Sequence, residues 1–406
     1  MSKIRIVNFG PIKTGYTGKG GWLNINKVTV FIGNQGSGKS TVAKVISTMT
    51  WFEKALVRGD FATKEFNTKI FKSHFTYQNI GGYFKSETEL EYEGNAYHIW
   101  YREGEVSIRK IEDKAYAFPK IMYVPSERNF VSSVRNVNKL KGLPSTLYTF
   151  SDEFLNAALD IRGQLELPIN QARFEFQQLN STSYIVGEDY RIFLSEASSG
   201  FQSIVPLYIV SKYLAGLLHR EKNLANKQNS IEEERKLRKR VQELLTNPDI
   251  SDDVRQALVS SLSTPDDYEA FVNIVEEPEQ NLFPTSQHQI LNALLELNND
   301  SPNNSLVLTT HSPYIINYLT IAVEAGELLL NYSGDTARMK LNKIVPVAAA
   351  IKTQELCIYQ LDEIEGGISD LPMPEGVPSD NNYLNLSLVE GNRIFDALLE
   401  LQQELK

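Results

Sequence analysis

Cysteine is nearly absent from this sequence: Cys357 is the only one in 406 residues. A single thiol excludes an intramolecular disulfide and any cysteine-rich zinc site, and it suits a reducing cytoplasm. Uninterrupted apolar runs are missing too. The longest break within about ten residues, short of the roughly 18–20 that a membrane span needs, so no membrane partner is expected. The opening residues, Met1-Ser2-Lys3-Ile4-Arg5-Ile6, alternate charge with aliphatics and lack the apolar centre of a secretory leader. Positive charge is not in excess either. Lys and Arg number 41 against 50 Asp and Glu, a net charge of −9. That excludes nucleic-acid binding through general basicity and leaves only a local basic patch for it. No internal repeat is present, and no heptad pattern exceeds about three heptads, which excludes a solenoid and a long coiled-coil arm. Apolar residues at 42% and charged residues at 22% are ordinary globular values, so disorder is excluded as well.

What is present is a chain of α/β character. Residues 27–32 (KVTVFI) read as a strand buried on both faces. It runs into Gly33-Asn34-Gln35-Gly36-Ser37-Gly38-Lys39-Ser40-Thr41, and helical spacing follows at Val42, Val45, Ile46 and Met49. Residues 84–110 alternate about Gly94-Asn95, which predicts an antiparallel meander. Residues 120–124 are a further strand ended by Pro125. Residues 150–180 read as helix with loops, and 190–194 as a short strand. From Gly200 a helical pattern runs on and becomes highly charged; 203–247 reads as two helices or one kinked rod, with Ser230 and Glu233 in a capping-box pattern. Strands at 271–275 and 306–309 flank a helix at about 286–298, and 386–405 is an amphipathic helix.

The stretch from Gly33 to Ser40 satisfies G-x-x-x-x-G-K-[ST] between strand and helix. Its backbone N–H groups converge on a β-phosphate, and the helix N-terminus adds about half a positive charge. Gly36 and Gly38 let the backbone turn where a Cβ would obstruct. Lys39 reaches the β- and γ-phosphates, and Ser40 offers a hydroxyl to Mg²⁺. The ligand implied is a nucleoside triphosphate. A second element supplies the metal anchor: residues 271–279 form an apolar strand ending in Glu276-Glu277-Pro278-Glu279. Glu276 would hold Mg²⁺ through its water shell, and Glu277 would orient or deprotonate the attacking water. A solvated acidic turn is the plain alternative; the upstream phosphate loop favours the site. At Leu308-Thr309-Thr310-His311-Ser312-Pro313 a strand ends and a helix begins, with Ser312 as cap and Pro313 at the first helical position. His311 would then face the same sheet edge and bond the γ-phosphate. The other histidines, at 74, 98, 219 and 288, have no metal-ligand spacing. Ser198-Ser199-Gly200, opening a long helix, is a fourth anion-binding candidate.

These four motifs, in this order, resemble the ATP-binding-cassette ATPases, in the soluble branch shared with structural-maintenance-of-chromosomes (SMC), RecF and OLD proteins. Tyr123-Val124-Pro125-Ser126-Glu127-Arg128 and Asn8-Phe9-Gly10-Pro11-Ile12 are also similar to segments of small bacterial ATPases, among them the ATPase partners of the Septu and PARIS anti-phage systems. The sequence departs from the family in carrying Glu276-Glu277 where an Asp-Glu pair is usual, and in a signature segment Ser-Ser-Gly-Phe-Gln without its acid. The resemblance implies a single ABC-type head with a mixed central sheet, an antiparallel β-subdomain and a helical subdomain. Its lobes would be 1–125, 126–268 with a charged helical insertion at about 212–268, and 269–406. Gln78, by its distance after the phosphate loop, would be a metal-sensing glutamine.

The function implied is an ATP-hydrolysing switch, a homodimer or higher even-numbered oligomer in the cytoplasm. Ser198, Ser199 and Gly200 of one copy would contact the γ-phosphate held by the other. It would control a separate effector, a nuclease or toxin, in anti-phage defence. The alternative is a DNA-stimulated repair ATPase of RecF character, with the run Arg235-Lys236-Leu237-Arg238-Lys239-Arg240 as the nucleic-acid contact or simply a solvated helix face.

Overall fold

Residues 28–33 are buried along their whole length, which requires a sheet covered on both faces. The computed structural model describes residues 2–60, 66–112, 114–134, 140, 142–219, 268–332 and 334–405. Its elements begin with β1 (Ser2–Phe9), β2 (Gly15–Tyr16), β3 (Leu23–Ile25), β4 (Val28–Gly33), α1 (Lys39–Arg58) and α2 (Thr68–Tyr77). Then come β5 (Phe84–Glu93), β6 (Tyr97–Arg102), β7 (Glu105–Lys110), β8 (Pro119–Val124), α3 (Phe130–Ser133) and α4 (Ser145–Asp160). Next are β9 (Gln164–Glu166), β10 (Arg173–Gln177), β11 (Thr182–Val186), β12 (Arg191–Phe193) and α5 (Ser199–Gly216). From residue 268 onward follow β13 (Ala270–Glu276), α6 (Pro284–Asn299), β14 (Ser305–Thr310), α7 (Pro313–Asn331), α8 (Asp335–Leu341), β15 (Leu356–Leu361), β16 (Gly367–Asp370) and α9 (Tyr383–Glu404).

The central sheet has the order β2-β16-β15-β4-β14-β13-β8. Its inner strands β15, β4, β14, β13 and β8 are parallel, while β16 runs antiparallel to β15. Side chains alternate between two cores. Val28, Val30 and Ile32 of β4 and Leu306 and Leu308 of β14 join α4, α5, α6 and α7 on one face. Phe31 and Val307 point to the other face, where α1 contributes Val42, Val45, Ile46, Met49 and Phe52. A second sheet, β3-β1-β5-β6-β7, is antiparallel and shares that core through Ile4, Ile6, Leu90 and Ile99. Thus α1, which carries the phosphate loop at its start, is clamped between two sheets. The α/β class, the mixed central sheet, the antiparallel β-subdomain and the helical layer are those expected.

One expectation is corrected. Residues 150–160 are helix as expected, but the segment beyond Asp160 also holds strands: β9, β10, β11 and β12 form an antiparallel sheet of their own. Period-2 alternation in Arg173-Phe174-Glu175-Phe176-Gln177 and a turn with positive φ at Asn170 and Gln171 account for it. Also, the segment Ser199–His219 is long and apolar enough to cross a membrane by length and average composition. It is a core helix, with Ile204, Val205, Leu207, Ile209, Val210 and Leu214 in the cluster against the central sheet. The basic run 235–240, the Ser230–Glu233 cap and most of the 212–268 insertion lie outside the described residues.

Glu53 locks the two sheets' shared helix to the meander. Its buried carboxylate accepts hydrogen bonds from the Tyr92 hydroxyl (2.9 Å) and the backbone N–H groups of Ala96 (2.6 Å) and Tyr97 (3.1 Å). Glu53→Ala leaves those donors buried and unpaired, so urea unfolding should show a loss of about 2–4 kcal/mol.

Candidate active site

Parallel register brings the motifs together. Thr310 pairs with Ile32 across β14 and β4, Glu276 pairs with Thr309 across β13 and β14, and Val275 pairs with Val124 across β13 and β8. The residues that follow each strand, Asn34, His311, Glu277 and Pro125, therefore emerge along one edge of the sheet.

The phosphate loop turns on glycines with positive φ: Gly36 at 78° and Gly38 at 100°. A Cβ on Gly38 would lie 2.6 Å from Cδ1 of Ile12, so the Gly10-Pro11-Ile12 turn packs directly on the loop. Gly36, by contrast, has open space around it; only its backbone angle needs glycine. No side chain caps α1, so its first-turn N–H groups stay available at the loop. Asn34, Gln35, Gly36 and Ser40 are exposed, Thr41 is buried, and the buried Ser37 hydroxyl has no hydrogen-bond partner.

Lys39 is 5% exposed and folds back over the loop, donating to the carbonyls of Gly33 (2.9 Å) and Asn34 (2.8 Å). Its Nζ lies 3.5 Å from Nδ1 of His311, and Nε2 of His311 lies 3.6 Å from Oε1 of Glu277. Burial lowers the Lys39 ammonium to about 8, against the opposing pull of Glu277, Glu279 and Glu363. Burial and then the Lys39 charge lower His311, so its ring is neutral at neutral pH. Burial first, and Glu276 next, raise the Glu277 carboxyl.

Glu276 is buried; its Oε2 accepts from the backbone N–H of Ser126 at 3.1 Å. Its Oε1 makes no hydrogen bond of ordinary geometry and lies in the environment of the Tyr123 hydroxyl, which burial and Glu276 hold far above the usual phenol range. Glu277 has φ 44°, a left-handed conformation that is costly for a residue with a side chain and typical of functional sites. Its N–H extends the ladder to the carbonyl of Thr309 at 2.8 Å.

Two residues that the motifs do not assign build this geometry. Glu279 accepts from the Thr310 hydroxyl (2.8 Å) and the His311 N–H (2.7 Å), fixing where His311 leaves the strand. Arg128, fully buried, donates to the carbonyls of both Glu276 and Glu277 at 2.6 Å. The signal for Glu279 lay in its place three residues after Glu276; Arg128 closes the Tyr123–Arg128 segment quoted for the family resemblance, but no role follows from that segment alone. Ser198 and Ser199 are exposed at the start of α5, whose first turn has no side-chain cap. Gly200 packs on the loop after Glu277, where a Cβ would lie 3.1 Å from the carbonyl of Asn281. Gln78 is elsewhere. Its buried amide donates to the Ser47 hydroxyl at 3.3 Å, about two helical turns along α1 from Ser40.

No family model and no curated protein matches the chain. Among solved structures it is similar to the SMC head domain from Thermotoga maritima, at 12% identity over 91% of this chain and 97% of that chain, with a TM-score of 0.38. It is similar also to an SMC head bound to the C-winged helix domain of ScpA, at 10% identity over 91% and 96% of the two chains, TM-score 0.36. A dimeric ATP-binding cassette in a post-hydrolysis state, bound to ADP and phosphate, shares 12% identity over 91% and 96%, TM-score 0.28.

The contact between Lys39 and His311 has a measurable consequence. Removing the ammonium removes a charge that disfavours the imidazolium, so in Lys39→Met the His311 midpoint should move up toward the ordinary value near 6.5. Histidine ring signals followed by NMR across pH check this; an unchanged midpoint would mean the two groups do not interact.

Proposed function

We propose that this chain is an ATP-binding and ATP-hydrolysing switch of the ABC type, two copies of which close around ATP. The observation that carries the reading is the contact chain from Lys39 through His311 to Glu277, which joins the phosphate loop to the neighbouring strand ends. The residues fit the substrate. An uncapped helix start, a loop with positive-φ glycines and a lysine over it form a cradle for phosphate oxygens. The Ser40 hydroxyl and the Glu276 carboxylate form an all-oxygen set suited to Mg²⁺. Among the described residues no group of three His, Cys, Asp or Glu could hold a metal by itself. Magnesium, when bound, neutralises charge on the β- and γ-phosphates.

Each residue has a role of its own. Lys39, released from the loop carbonyls, moves its ammonium onto the β- and γ-phosphate oxygens. Neutral His311 donates one hydrogen bond, from its ring N–H, to a γ-phosphate oxygen without adding charge. Glu277, with a carboxyl raised by burial, holds the attacking water and takes its proton. Arg128 and Glu279 keep Glu277 and His311 aimed at the same point.

A sister molecule completes the site in this reading. The exposed Ser198 and Ser199 and the uncapped first turn of α5 present hydroxyls and N–H groups that a γ-phosphate on the other protomer can accept. ATP then holds the two copies together, and hydrolysis releases them. The motif resemblance to ATPase partners in anti-phage systems supports the finer reading, in which the cycle restrains and frees a separate nuclease or toxin in the bacterial cytoplasm.

Glu277→Gln keeps the shape and removes the base. Its hydrolysis should fall about 10²–10⁴-fold with ATP affinity retained, and native mass should show a dimer that persists with ATP. Undiminished turnover, or the same mass with and without ATP, would contradict the proposal.

A further inference from the structure

Among the described residues, Arg128 heads the largest fully buried side chains. A guanidinium carries five donors and no acceptor, and burying it unpaired is costly. Among the described residues no carboxylate makes a direct ion pair with it, and burial lowers it to about 10. Its donors go instead to backbone carbonyls from three parts of the chain. Nη1 reaches Glu276 at 2.6 Å and Pro125 at 3.4 Å, Nη2 reaches Glu277 at 2.6 Å, and Nε reaches Ser203 at 3.2 Å.

Ser203 lies in the second turn of α5. Three residues further on, Pro206 lacks an N–H, so the carbonyl of Gln202 has no helical partner. The Ser132 hydroxyl donates to that carbonyl at 2.8 Å. The Ser203 hydroxyl in turn bonds Gln280 at 3.2 Å. Residues 125–132 therefore hold the Glu276–Glu277 turn with one set of bonds and the start of α5 with another. The left-handed conformation of Glu277 is fixed on one side by Arg128 and on the other by Thr309.

We infer that Arg128 is a positioning residue for hydrolysis, coupling the first turns of α5 to the Glu277 carboxylate. A γ-phosphate that engages Ser199 and Gly200 from the sister protomer pulls on α5, and the guanidinium carries that displacement to the turn bearing Glu277. The inference rests on the reading above that Glu277 serves hydrolysis in a closed dimer. It adds that occupancy by the sister's nucleotide is sensed through a side chain that touches neither substrate nor metal.

Arg128→Lys replaces a fork spanning four carbonyls with a single amine. Steady-state hydrolysis, ATP affinity and native mass are measured on the full chain beside the wild type. The expected result is a kcat lower by about 10–100-fold, with KM and ATP affinity within about twofold and the ATP-dependent dimer retained. Ser132→Ala, which removes only the donor to Gln202, should lower kcat in the same direction by a few fold, and it decides the matter should Arg128→Lys not fold. A wild-type kcat in the folded variant, or a loss of affinity as large as the loss of kcat, overturns the inference. A wild-type chain that does not hydrolyse ATP removes the ATPase reading itself, and the inference with it, which is a separate and recognisable result.

Discussion

The site depends on the register of parallel strands in the middle of one sheet. With Ile32 opposite Thr310, and Thr309 opposite Glu276, three strand ends separated by hundreds of residues finish at the same level. A slip of one residue in any of these ladders would turn His311 or Glu277 toward the opposite face. The buried alternation of β4, β13 and β14 between two cores resists such a slip, because each strand has apolar side chains on both sides. Packing that could be read as stability alone thereby sets the chemical geometry.

Charge is concentrated where that packing is densest. Lys39, Arg128, Glu276, Glu277 and Glu279 lie within one region, and burial is the leading cause of each shift that Lys39, Arg128, Glu277 and Glu279 show. Arrangements of this kind are costly to fold and are kept where a reaction needs pre-set electrostatics. The compensation is largely backbone: Arg128 is satisfied by carbonyls, Glu276 by the N–H of Ser126, and Glu279 by the N–H of His311. Side chains with formal charge are thus aimed by peptide groups, which cannot rotate away.

Much of this was legible in the sequence, for a local reason. The loop from Gly33 to Ser40, the strand ending in Glu276-Glu277 and the strand ending at His311 each carry their own periodicity and stop signals, so their elements and common edge follow from pattern. Arg128 was not legible as a functional residue. Its partners are carbonyls, which leave no mark on side-chain pattern, and the bonds join residues up to 149 positions apart. Gln78 is the converse case: spacing along the chain was its only support, and the end of α2 places it against Ser47. Strands β9 to β11 were hidden because, at three to five residues each, they are shorter than the window in which alternation becomes distinct from helix.

The most direct measurement is a structure of Glu277→Gln with Mg²⁺ and ATP. The account predicts a γ-phosphate touched by Lys39 and His311 of one protomer and by Ser199 and Gly200 of the other, with Ser40 at the metal. A triphosphate bound away from the sheet edge, or enclosed by residues of one chain alone, would contradict it.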